Sequence, residues 1–90
     1  MARIKTFKDL GIAIYIYGEK NEKHHGKHIL VLKADEDCQY GFDGNPLKCS
    51  KALKSRAEHK AVRKWILSHQ KELEYAWENI NAGINPGMIE

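Results

Sequence analysis

Ninety residues, 42% hydrophobic and 30% charged, hold enough apolar material for one core and too little chain for two. That balance excludes a disordered chain, and the longest aliphatic run, Ile29 to Leu32, falls far short of the roughly 20 residues that cross a bilayer as a helix. The net charge of +3 is small, so any electrostatic role must come from local clustering.

The opening stretch, MARIKTFKDLG, has neither the apolar segment nor the small-residue cleavage site of a secretory signal. Cytoplasmic residence is the expectation. From Gly11 to Gly18 the alternation is strict, with Ile12, Ile14 and Ile16 on one side and Ala13, Tyr15 and Tyr17 on the other. This two-residue period predicts a strand over 11–18 with an aliphatic face and a phenolic face. Tyr15 and Tyr17 then either lie beneath a helix or form an aromatic anchor and an edge for strand addition.

NEKHHGKHI follows, with His24, His25 and His28 in nine residues. Three imidazoles together raise zinc, copper or nickel as ligands. Adjacent residues of an extended chain point in opposite directions, however, and no carboxylate or thiol stands at a ligand spacing. The stretch is therefore read as a solvated turn, with no metal and no cofactor; a metal site or pH-dependent partner binding at His24, His25 and His28 is the alternative. HILVLKA predicts a second, central strand over 28–34, and DCQYGFD a third over 37–43 with Cys38, Tyr40 and Phe42 inward. DGNP, Asp43 to Pro46, is expected to end the sheet. Cys38 and Cys49 form no CxxC pair and are expected as free thiols.

Between Lys48 and Lys64 the chain carries Lys48, Lys51, Lys54, Arg56, Lys60, Arg63 and Lys64 against a single acid, Glu58. A short helical turn around Cys49 to Ser55 is expected first. The period then changes: Val62, Trp65, Ile66, His69, Leu73, Ala76, Trp77 and Ile80 recur at three and four residues, which predicts a helical stripe carrying both tryptophans onto the sheet. One continuous helix from Ala57 to Ala82 would run roughly 39 Å at 1.5 Å per residue and overhang so small a domain. A break at Ser68, capping a second helix, is expected, giving helices over 57–67 and 69–82. Gly83 and Asn85-Pro86-Gly87 stop the second, and 84–90 are expected as a loose tail.

The strand GIAIYIYG, the histidine-bearing turn and KAVRKWILSHQKELEYAW together resemble the bacterial domain-of-unknown-function family 4160. Ile12, Ile14, Tyr15, Ile16 and Tyr17 match its strand, and Trp65, His69, Glu72, Leu73 and Trp77 its helices. The family writes its turn with two prolines before the histidines, whereas this chain has KHHGKH, so His25 and His28 correspond only loosely. The resemblance implies no reaction. Family members often sit beside another small gene in arrangements resembling toxin–antitoxin pairs, which implies a partner protein.

Enzymatic signals are sparse. Ser50, Ser68 and Thr6 occupy no strand–turn–helix elbow, and no glycine-rich phosphate loop occurs. His59 or His69 with Glu58 or Glu72 could move a proton from a ribose hydroxyl, which leaves a ribonuclease-like toxin as a third reading. The basic run could follow a phosphate backbone, making nucleic-acid binding through Lys51, Lys54, Arg56, Lys60, Arg63 and Lys64 the second. The leading expectation is a non-enzymatic, cytoplasmic interaction module of class α+β. It has a three-stranded antiparallel meander and one bent or two consecutive C-terminal helices on one face, and it binds a partner protein encoded nearby or a second copy of itself. Tyr15, Tyr17 and the six cations are its candidate contacts, and no membrane is implied.

Overall fold

The computed structural model describes residues 2–17, 27–34, 36–49 and 56–89. In chain order its elements are β1 (Ala2–Phe7), β2 (Ile12–Ile16), β3 (His28–Lys33), β4 (Glu36–Gly41), β5 (Pro46–Cys49), α1 (Arg56–Ser68) and α2 (Gln70–Asn81). The strands lie in sequence order, each antiparallel to the next. The class is α+β, an antiparallel sheet followed by two helices, but the sheet has five strands where three were expected.

Both additional strands carry lysines that hide them. In β1, ARIKTF, Ala2 and Ile4 are buried while Arg3 is exposed, and charge on an outermost strand discourages pairing with other chains. In β5, PLKC, all four residues are exposed, so no apolar alternation exists to be read. DGNP is accordingly a hairpin turn and not the end of the sheet. Gly41 N–H donates to the Asn45 carbonyl at 3.0 Å, Asn45 N–H donates to Asp43 Oδ1 at 3.0 Å, and Gly44 takes φ +83°. Cys49 closes β5 instead of opening a helical turn; the rest of that expected turn lies outside the described residues.

Register sorts the side chains into two faces. Ile14 pairs with Val31 and Val31 with Cys38, while Ile29 pairs with Tyr40, so these residues share one side. They are buried, and with Ile4, Ile12 and Ile16 they meet Val62, Trp65, Ile66, Leu73 and Ala76 from the helices. Full burial of one such aliphatic side chain is worth about 1.5–3 kcal/mol, so this single face carries the hydrophobic stabilisation of the fold. Cys38 and Cys49, cross-strand partners in β4 and β5, are joined as a disulfide, which corrects the expectation of free thiols.

The helical break falls at His69, one residue beyond the expected Ser68, which ends α1. His69 turns away from helical geometry, with φ −126° and ψ 31°. Its amide reaches back only to the Ile66 carbonyl, and its Nδ1 donates to the Trp65 carbonyl at 2.8 Å. The imidazole thus satisfies the carbonyl that a continued helix would have bonded through the backbone. At the far end Gly83, φ +80°, terminates α2 as expected: its N–H bonds Ile80 O and the Ile84 N–H bonds Asn79 O, a Schellman motif. The segment beyond is not a loose tail. Ile89 is buried, and its N–H donates to the Ile4 carbonyl on β1 at 2.6 Å.

Candidate interaction surface

Both helices lie on the isoleucine side of the sheet, so the opposite side is the one that no described helix covers. Tracing partners across the five strands gives one continuous row: Arg3 to Tyr15, Tyr15 to Leu30, Leu30 to Gln39, Gln39 to Lys48. At about 4.8 Å per strand the row is roughly 19 Å wide. Its middle is aromatic and aliphatic and both ends are cationic. Thr6, Ala13, Leu32 and Asp37 form a second row beside it, which puts one acid near the Lys48 end. Tyr15, Leu30 and Leu32 are half-buried.

At one corner the surface is fixed by hydrogen bonds. Gln39 Nε2 donates to Tyr17 Oη at 3.3 Å, which leaves the phenol proton for His28 Nε2, 3.0 Å away. The His28 ring lies between Tyr17, met edge-on at 5.3 Å, and Trp77 of α2 at 5.7 Å. Trp77 also meets Phe42 edge-on. Trp77 of α2 thus reaches this corner of the surface through His28. His28 opens β3, as the strand expected over 28–34 has it, and at 3% exposed it is buried, which corrects its reading as a solvated member of the histidine stretch. His24 and His25, the other two members of the expected cluster, lie outside the described residues; among the described residues no group of three metal-ligating side chains occurs.

Beside β1 the cationic end widens into a cleft of about 570 Å³ lined by Arg3, Lys5, Thr6, Lys8, Met88 and Ile89. Among the described residues no carboxylate lines it. Lys5 Nζ stands over the Phe7 ring at 5.3 Å. The alternation of ARIKTF was the sequence signal for this surface, since it places Arg3 next to Tyr15 once the strand is recognised.

The expected basic surface lies elsewhere. Lys60, Arg63 and Lys64 are exposed on α1, on the other side of the sheet from Tyr15 and Tyr17, so the candidate contacts form two surfaces and not one. Arg63 lies so close to Gly44 that a β-carbon there would stand 2.8 Å from its Cγ, so its stem is packed on the β4–β5 turn. Lys51 and Lys54 are outside the described residues, and of Arg56 only the backbone is described, as the first residue of α1.

The proposed acid–base histidines are drawn into structural bonds. His59 Nδ1 lies 2.7 Å from Tyr40 Oη, and burial pushes that phenol up to about 12, so it keeps its proton. His69 is stacked on Trp65 at 5.0 Å as well as bonded to its carbonyl. Glu58 is ion-paired with Lys33.

A family model described as a domain of unknown function, DUF4160, matches residues 11–78. Neither the curated proteins nor the solved structures give a match. No described helix is long and apolar enough to cross a membrane.

Proposed function

The chain belongs to this DUF4160 family, whose description names no reaction, and we propose that it is a non-enzymatic module that docks a partner protein on the helix-free face of its sheet. The observation that carries this reading is the row Arg3, Tyr15, Leu30, Gln39, Lys48, apolar at its centre and cationic at both ends. Two features favour a protein over a nucleic acid. Leu30 and Leu32 occupy the middle of the face, where a single-stranded nucleic acid would be met by further stacking rings. The tyrosine beside them is half-buried, and phenols next to leucines suit an apolar protein surface.

Arg3, Lys5 and Lys8 then receive carboxylates at the rim of the partner, which steer its approach. A partner encoded beside this chain, in the manner of a toxin–antitoxin pair, is the first to test. Co-purification with that neighbour, with and without nuclease, separates the readings when combined with two variants. Tyr15→Glu is expected to abolish recovery of the complex, and Lys64→Glu on the opposite surface to leave it intact after nuclease. Loss of the complex on nuclease treatment or with Lys64→Glu, and its retention with Tyr15→Glu, would move the interaction to nucleic acid on α1.

A further inference from the structure

We propose that Cys38 and Cys49 form a thiol–disulfide exchange site, open to a dithiol reductant, whose state decides whether β5 stays on the sheet. The pair is directly cross-strand, and its two members differ in accessibility: Cys38 is fully buried whereas Cys49 is exposed. An attacking thiolate can reach Cys49 and not Cys38.

β5 has little besides this bond and a short ladder to hold it on the sheet. It pairs only through Cys38–Cys49, Gln39–Lys48 and Tyr40–Pro46, with a register shift between the second and third. Pro46 has no N–H to give to the ladder. All four residues are exposed, Leu47 at 57%, so burial contributes little to holding the strand. Beside this short ladder and the bonds of the β4–β5 turn stands the covalent link, which closes a loop of sequence separation 11.

The exchange balances as follows. A reductant thiolate attacks Cys49 Sγ, forming a mixed disulfide and expelling the Cys38 sulfur, which takes a proton. The reductant's second thiol attacks its own sulfur in the mixed disulfide, closes the reductant's ring and releases the Cys49 thiol. Two electrons and two protons pass from the dithiol to the pair. β5 then leaves β4, which uncovers the outer edge of β4 for an added strand and removes Lys48 from the end of the cross-strand row. The exchange itself does not rest on the docking proposal and is tested without a partner.

The experiment uses the full chain after mild oxidation and after treatment with a phosphine reductant. Maleimide labelling under denaturing conditions, read by mass, counts thiols in each; the oxidised chain should take none and the reduced chain two. Amide hydrogen exchange over Pro46–Cys49 should accelerate on the order of ten-fold or more on reduction, while Ile12–Ile16 stays protected. Cys49→Ser, at an exposed position, should exchange like the reduced chain whatever the redox state. Two labels after oxidation, equal protection of β5 in both states, or a Cys49→Ser variant as protected as the oxidised chain would each overturn the proposal.

Discussion

Tyr40 Oη and His59 Nδ1 stand 2.7 Å apart and tie the fourth strand to the first helix from within the core. Tyr40 is 1% exposed, and burial raises its phenol from 10 to about 12. The raised value means that the folded chain holds the neutral phenol more firmly than the unfolded chain does. This contribution is complete below pH 10 and is lost as the pH rises from about 10 towards 12. Urea unfolding at pH 8, 10 and 11.5 should show stability falling across that window. Tyr40→Phe should flatten the fall and cost about 1 kcal/mol at pH 8 through the lost hydrogen bond. An unchanged slope in the variant would assign the alkaline loss to other groups.

Gly44 sits in the β4–β5 turn at φ +83°, and a β-carbon there would also meet Arg63 Cγ at 2.8 Å. The backbone term is the larger, since a non-glycine residue in the left-handed region costs roughly 1–2 kcal/mol while a flexible arginine stem can shift. Gly44→Ala should therefore destabilise by about that amount in thermal unfolding. In an Arg63→Ala background it should recover only a minor part. Full recovery would make the contact, and not the backbone, the reason for glycine.

Leu73 and Leu67 are the same residue type on consecutive helices with opposite fates: Leu73 is fully buried and Leu67 is 47% exposed. Leu73→Ala should cost about 2–5 kcal/mol, and Leu67→Ala within about 0.5 kcal/mol of nothing. Chemical denaturation of both variants checks the orientation of the helices on the sheet. Equal losses would contradict it.

The helical stripe was legible because burial imposes period: Val62, Trp65, Ile66, Leu73 and Ala76 face the core as the three- and four-residue spacing requires. The isoleucines of β2 were legible for the same reason. β5 was not, since a strand exposed at every position leaves no apolar trace, and β1 was obscured by the cations that protect an edge. The break at His69 depended on a side chain replacing a backbone donor at the Trp65 carbonyl, a substitution that spacing cannot express. The basic segment was visible as composition. That Tyr15 and α1 face opposite ways was not, because it follows from the side of the sheet on which the helices land.

Lys33 and Glu58 form an ion pair whose two halves differ in access to water, with 37% of the lysine side chain exposed and 11% of the glutamate. Glu58 also lies in the first turn of α1, where the helix dipole favours negative charge. Losing the carboxylate frees an ammonium that can turn into solvent on its long stem, whereas losing the ammonium takes a counter-ion from beside a mostly buried carboxylate. Lys33→Met should therefore cost about 1–3 kcal/mol in urea unfolding at pH 7, and Glu58→Gln less than about 1 kcal/mol. The double variant should be more stable than Lys33→Met alone, because the buried charge that lost this counter-ion is gone. If Glu58→Gln proves the costlier single change, the dipole and the other neighbours of Glu58 hold its charge, and Lys33 serves mainly as an aliphatic cover for the end of β3.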